Sequence, residues 1–294
     1  MPLHEHLLAV RDYDLAATLD SGQAFRWRQE LGGWFGVIER HWVKLAQTEH
    51  GITALTAEPV ADWAWLEDYL QTRVELEEVL ATFPEDEPLR QAKAACRGLR
   101  LLRQDPWECL ASFILSSTKQ IVQIRAIVSL LAERHGEPLA VPGGHAQAWA
   151  FPSPARLAAL TEADLRSCKM GFRAPYLRES ARMVTSGEVN LAKVGTLALT
   201  GARDELLKLP GVGRKIADCV LLFAYGFPGA FPVDVWVMRA LRELYFPRRR
   251  PTRQRLERFT ETYFGHQAGY AQQYLFHYMR TRSAAGRNRQ RLQS

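Results

Sequence analysis

The chain is poor in cysteine, and the four it has, Cys96, Cys109, Cys168 and Cys219, lie far apart with no CxxC pair among them. Such scatter excludes a zinc finger or a cysteine-ligated iron–sulfur cluster and reads as reduced thiols in an intracellular protein. Long apolar runs are missing as well. The stretch from Cys219 to Tyr225 is far too short to span a bilayer, so no membrane partner is expected. The N-terminus, MPLHEHLLAV, has no basic region followed by a long apolar one, and no secretory signal is expected. Internal repeats, low-complexity tracts and heptads are also absent, which makes a monomer the simplest expectation.

What is present is material for a large core and an uneven charge. The 294 residues are 47% hydrophobic and 24% charged, the composition of a globular chain of one large or two ordinary domains. Residues 1–95 carry 8 Lys+Arg against 17 Asp+Glu, whereas the remainder carries 30 against 15. The basic excess peaks in residues 239–294, with 13 arginines, no lysine and 3 acidic residues, Glu243, Glu257 and Glu261. Arginine's planar fork suits phosphate, so one half of the chain is expected to face a nucleic acid while the other does not. From Ser283 onward the arginines read as a solvated tail.

The first sixty residues read as strands. Alternating segments at Phe25–Arg28, Trp34–Ile38 and Trp42–Leu45 are separated by turn signals at Gly32-Gly33 and His50-Gly51, which predicts an antiparallel meander. From Asp62 the texture becomes helical, with Trp63, Leu66, Leu70 and Val74 at spacings of three and four. The acidic stretch between Pro84 and Pro88 marks a surface loop. Helices follow almost throughout. Asp105-Pro106 opens one through Trp107, Leu110, Phe113 and Ile114, with Asp105 as N-cap. Others are expected over about 121–133, 153–160, 162–167 and 174–186. The fold class is therefore α+β. A sheet region with flanking helices occupies 1–104, a helical body 105–282 and a basic tail 283–294.

The sharpest motif runs from Leu207 to Asp218 and contains Leu209-Pro210-Gly211-Val212-Gly213-Arg214-Lys215. Two helical stretches joined by Leu-Pro-Gly-Val-Gly form a hairpin in which glycines permit tight turning and close backbone approach. The first amides of the second helix have no partner inside it and can hold phosphate. Behind the turn, Ile216, Val220 and Phe223 form a core face, while Lys215, Cys219 and Leu222 share another. A lysine that loses its water can lose its proton too and act as a nucleophile. Nineteen residues on, Pro232-Val233-Asp234 precedes a helical run over 235–244, which puts Asp234 at an N-cap. A carboxylate there is also placed to stabilise positive charge developing on a sugar ring.

With these residues in order, the chain resembles the helix–hairpin–helix DNA glycosylase superfamily, and within it the 8-oxoguanine DNA glycosylase family. The resemblance extends over nearly the whole chain. Further matching stretches are Ser21–Trp27, Arg100–Pro106 continuing to Ser117, Phe151–Ser153 through Gly171–Ala174, and Ala268–Gln272 through Phe276. It implies an antiparallel sheet domain packed on a helical body that flips a damaged nucleotide out of double-stranded DNA. Lys215 would be the nucleophile at the sugar C1′, giving a Schiff base whose elimination cuts the strand, with Asp234 helping to expel the base. The carbonyl of Gly22 would accept a hydrogen bond from N7–H of 8-oxoguanine, a position where guanine has only a lone pair. Cys219 and Phe276 would sandwich the base and Gln272 would read its Watson–Crick edge. Phe172 would be an aromatic wedge and Arg173 would address the opposite base. Thr118, Gly211, Gly213 and Arg214 would lie against the DNA. No organic cofactor and no protein-ligated metal are implied, although hairpin carbonyls in this superfamily often hold a cation.

Two alternatives stand beside this reading. A glycosylase for alkylated bases would share the body but activate water with the aspartate, which the lysine and Gly22 argue against. A non-catalytic damage-binding protein would use the hairpin alone, leaving the pairing of Lys215 with Asp234 without purpose. Relatives that act on adenine or oxidised pyrimidines usually carry a C-terminal four-cysteine cluster, and no cysteine follows Cys219 here.

The chain departs from the family opposite the lesion. Thr118-Lys119-Gln120 replaces an asparagine run, Gln123 stands in place of an arginine, and Trp236 stands where a histidine is common. A neutral glutamine recognises cytosine less directionally than a bidentate arginine. Excision is therefore expected to tolerate A, G or T opposite 8-oxoguanine. Single-turnover rates on the four duplexes test this, and a thousandfold fall away from cytosine would contradict it.

Overall fold

The structure, a computed structural model, describes residues 3–30, 32–117, 119–248 and 251–292, with the side chains of Arg253 and of residues 284–292 outside the description. Thr118 therefore lies outside the described residues. Among those described, strands β1 (His4–Ala9), β2 (Arg28–Glu30), β3 (Gly33–Ile38), β4 (His41–Thr48) and β5 (Gly51–Thr56) form an antiparallel sheet in the order β1-β5-β4-β3-β2. The β2–β3 and β4–β5 connections follow the predicted turns, with Thr48 opposite Gly51 across the latter, while the β3–β4 turn at Glu39-Arg40 had no turn signal. β1 closes the far edge by pairing His4 with Thr56.

Two segments of this region are not the strands expected from the sequence. Leu15–Asp20 is a helix, capped by Asp14, whose Oδ1 accepts the Ala17 amide at 2.8 Å. Phe25–Trp27 is irregular, and the strand begins only at Arg28. Its alternation serves two cores rather than two faces of one sheet. Phe25 packs edge-on against Phe113 of the helical body at 5.4 Å, whereas Trp27 is buried in the sheet core and donates Nε1–H to Tyr69 Oη at 2.8 Å.

The helical signal from Asp62 resolves into two short helices, Ala64–Leu70 and Leu76–Ala81. The break is at Gln71, which adopts a left-handed conformation (φ 54°) and leaves Val74 outside either helix. The acidic stretch between Pro84 and Pro88 is less of a loop than its prolines imply. Asp86 caps the helix Glu87–Ala95 and Pro88 sits in its first turn, where its missing N–H costs nothing.

In the helical body, the expected helices occur at Pro106–Ser116, Ile121–His135, Pro154–Ala158, Glu162–Ser167 and Ala174–Thr185. The hairpin helices are Leu199–Leu207 and Arg214–Phe223, followed by Val235–Ala240, a π-helical turn Leu241–Tyr245 and a long helix Ala268–Leu292. Asp105 caps the first of these as predicted, accepting the Glu108 amide at 2.7 Å. None of the helices among the described residues is long and apolar enough to cross a membrane.

One buried amide ties the turn after the helix Leu15–Asp20 to the segment that leads into the body. Gln23 is fully buried; its Nε2 donates to the carbonyls of Thr18 (2.9 Å) and Arg100 (2.8 Å), and its Oε1 accepts the Leu102 amide at 2.8 Å. Gln23→Leu keeps the volume but strands the Leu102 N–H, and leaving one such group unpaired costs about 1–3 kcal/mol. The urea midpoint of the variant is expected to fall accordingly.

Candidate active site

Lys215 belongs to the first turn of the helix Arg214–Phe223, and its side chain enters a cavity of about 930 Å³. Its Nζ donates to Ser116 Oγ at 3.3 Å and stands 5.0 Å from the centre of the Phe113 ring. The Ser116 hydroxyl in turn donates to the Phe113 carbonyl at 2.7 Å, so the serine oxygen is turned to accept from the amine. Four residues on, one helical turn, Cys219 lines the same cavity, and so does Phe223, which the sequence pattern had assigned to the core face. Phe223 does both, stacking on Phe113 at 5.7 Å while lining the cavity.

Asp234 is the N-cap of Val235–Ala240, and its Oδ1 accepts the amides of Trp236 (2.9 Å) and Val237 (2.8 Å). The carboxylate also lines the cavity, so capping and facing Lys215 are compatible. No ion pair joins the two. Burial pushes the Asp234 carboxyl above the ordinary range, against the two amides and the nearby Lys215, which lower it. Burial likewise drives the Cys219 thiol up to about 12, so it remains protonated at neutral pH.

Gly22, Gln272 and Phe276 complete the wall. Gly22 has φ +78°, and a Cβ there would meet Ile121 Cδ1 at 2.8 Å and Phe276 Cε1 at 3.5 Å. The turn needs the glycine twice over, for its left-handed backbone and for the space beside it. Gln272 is 3% exposed, and its Oε1 is buried without a hydrogen-bond partner among the described residues. A buried amide oxygen without a partner, on a residue that lines a cavity, calls for an N–H donor. The six residues predicted for catalysis and base binding, from four separate stretches of sequence, thus share one cavity.

Residues 7–110 match the family described as 8-oxoguanine DNA glycosylase, N-terminal domain, and residues 111–265 match the HhH-GPD superfamily of base excision DNA repair proteins. A relative from Methanothermobacter thermautotrophicus, named a probable N-glycosylase/DNA lyase, is 31% identical over 96% of this chain and 98% of its own length. The N-glycosylase/DNA lyase of Saccharomyces cerevisiae is 31% identical over 79% of this chain and 68% of its own. Among solved structures, the 8-oxoguanine glycosylase/lyase of Clostridium acetobutylicum, in complex with double-stranded DNA containing cytosine opposite 8-oxoguanine, has a TM-score of 0.87. It is 30% identical and covers 96% of this chain and 99% of that one.

The chain belongs to the 8-oxoguanine DNA glycosylase family.

In this family member the residues expected to touch DNA are placed less uniformly than those of the cavity. Phe172 projects into solvent, 57% exposed, as a wedge must. Arg173 does not project. It is 2% exposed, donates to the Ser117 carbonyl and lies 4.2 Å from the Phe172 ring centre. Gly211 takes φ +76° in the hairpin turn, with the Tyr176 ring 3.0 Å from where a Cβ would stand, and Gly213 caps the lysine helix with open space beside it. Arg214 and Lys215, adjacent in sequence, diverge. The lysine enters the cavity and the arginine pairs with Glu261 at 2.6 Å. Gln123 accepts the Gln120 amide through Oε1 at 3.0 Å and so caps its own helix.

Of the hairpin carbonyls, that of Leu209 accepts the Val212 amide at 3.1 Å and that of Pro210 accepts the Ser180 hydroxyl at 3.3 Å, so two are already engaged. No group of three side-chain metal ligands gathers among the described residues.

Sequence reasoning missed Phe113, Ser116 and Arg280. Phe113 and Ser116 sit on a helix whose residues are nearly all buried, which hides a cavity-facing side chain among core ones. Arg280 lines the cavity and pairs with Asp20 at 3.0 Å, next to the Gly22 turn, a contact spanning 260 positions that no local pattern signals. Gly22→Ala is expected to lose about 1–2 kcal/mol from its left-handed backbone. The loss would be read as a lowered denaturation midpoint.

Proposed function

We propose that this protein excises 8-oxoguanine from duplex DNA and then cuts the strand, with Lys215 as the nucleophile. The observation that carries the assignment is the convergence of Lys215, Asp234, Gly22, Cys219, Gln272 and Phe276 on one cavity.

The flipped base would enter between Cys219 and Phe276. Gln272, with its unpartnered Oε1, would accept from the base's Watson–Crick edge, and Gly22 would meet the N7 side. The unprotonated amine of Lys215 attacks C1′ of the deoxyribose as the bond from C1′ to the base breaks, and the bonding electrons leave with the base. Asp234, ionised and buried beside the lysine, stabilises the positive charge on the sugar during this exchange. The departing base takes up a proton from the attached amine, the nitrogen lone pair expels O4′, which is protonated from water, and the resulting protonated Schiff base loses a C2′ proton to water as the 3′ phosphate leaves. Cys219 does not compete, because its thiol stays protonated. Phe172 would fill the gap left in the stack. The reaction needs damaged duplex DNA as partner and no second subunit, and we assign it to a monomer inside the cell.

Borohydride reduction in the presence of a duplex with a single 8-oxoguanine opposite cytosine tests this reading. A covalent adduct is expected with the lesion duplex only, and none from Lys215→Gln. Released base without an adduct would point instead to water activated by Asp234. Asp234→Asn retains a capping side chain, so stability changes little, while excision falls by about 10²–10⁴-fold. Because burial raises the Asp234 carboxyl, wild-type excision is expected to fall off with decreasing pH already above the ordinary carboxylate range, and this limb disappears in Asp234→Asn.

A further inference from the structure

The hairpin carries two basic side chains besides Lys215, and both are neutralised within the protein. Lys208 pairs with Glu205 on its own helix at 2.5 Å. Arg214 reaches across to the helix Arg253–Thr262, where its Nη2 lies 2.6 Å from Glu261 Oε1. Its Nε lies 3.8 Å from Asp218 Oδ2. These carboxylates differ in what they need from it. Asp218 is 2% exposed but already holds Arg203 Nε at 2.7 Å, so it keeps a partner whatever Arg214 does. Glu261 is 57% exposed and returns to water if the pair opens. An ion pair this open contributes little stability. Arg214 is also the first residue of the helix behind the Gly213 cap, beside first-turn amides of the kind that favour an anion.

We propose that Glu261 acts as a stand-in for phosphate, holding the Arg214 guanidinium fork off undamaged DNA until a backbone phosphate displaces it. The exchange swaps one oxyanion for another at the same fork and strands no buried charge. It weakens nonspecific binding by one cation, which favours rapid search of undamaged duplex, and it returns that cation once the hairpin is seated. The inference rests on the DNA-glycosylase reading above.

The test is fluorescence anisotropy with a labelled undamaged duplex at a series of salt concentrations, using wild type, Glu261→Gln, Arg214→Gln and the double variant. Freed from Glu261, Arg214 adds one phosphate contact, so the slope of log K against log salt steepens by about 0.9 in Glu261→Gln. The affinity advantage of that variant over wild type then shrinks by about threefold between 50 and 200 mM salt. In the Arg214→Gln background, Glu261→Gln is expected to leave the slope unchanged. An unaltered slope in Glu261→Gln would overturn the exchange. A change that persists without Arg214 would overturn it too, since the carboxylate would then merely repel DNA. Failure of the wild type to bind duplex at all would instead remove the underlying reading of the hairpin.

Discussion

The geometry of the cavity depends on one buried side-chain amide. Gln23 bonds to residues 18, 100 and 102, and its own carbonyl accepts Gln104 Nε2 at 2.7 Å. It is thereby fixed to the segment that leads from the sheet region into the central helix Pro106–Ser116. Gly22 is its chain neighbour and cannot move independently. From the other side, Gln273 Nε2 donates to the Ser21 carbonyl at 3.2 Å, tying the same turn to the helix that carries Gln272 and Phe276. Two amides therefore set the distance between the glycine and the residues proposed to read the base. In a dry interior such bonds tolerate little displacement, because every opened group must be desolvated without return.

The lysine helix meets a different constraint, since one short element must supply core, cavity and hairpin. It does so by angular division. Ile216, Val220 and Leu221 are buried in the body, Lys215, Cys219 and Phe223 turn to the cavity, and Gly213 ends the helix at the turn. The burial this requires has a chemical consequence. Low solvation holds the Cys219 thiol neutral and raises the Asp234 carboxyl. Of the two candidate nucleophiles four residues apart, burial silences the thiol, and the proposed chemistry falls to the amine, which keeps a serine acceptor and an aromatic face but no carboxylate to pin it.

Much of this was legible in the sequence where the signal was local. Caps at Asp105 and Asp234, the hairpin glycines and the β2–β3 and β4–β5 turns were visible as short strings with a physical reason, whereas the β3–β4 turn at Glu39-Arg40 was not. Period alone misled where a residue served two surroundings. Phe25 and Trp27 alternate like a strand because they point into two cores, and Phe223 falls on the apolar face of its helix while also lining the cavity. Arg214 and Lys215 are adjacent in sequence, yet neighbouring residues on a helix point about 100° apart. Their partners, Glu261 and Ser116, lie 47 and 99 positions away. No pattern of charge along the chain distinguishes a side chain aimed at phosphate from one held by a distant carboxylate.

The same distinction bears on the start of the helix Ile121–His135. Its first turn has backbone amides that need acceptors, and its N-cap position is occupied by Gln120, which forms a capping box with Gln123. Gln123 meets part of that need by accepting the Gln120 amide. An arginine at the same position has no acceptor to offer and would be free to extend toward a base. At position 123 the side chain folds back on its own helix, and its neighbour Val122 is exposed at the cavity's edge with no polar group to direct. Selectivity for the base across from the lesion would then have to come from shape and stacking, which discriminate among bases far less than a paired hydrogen bond does.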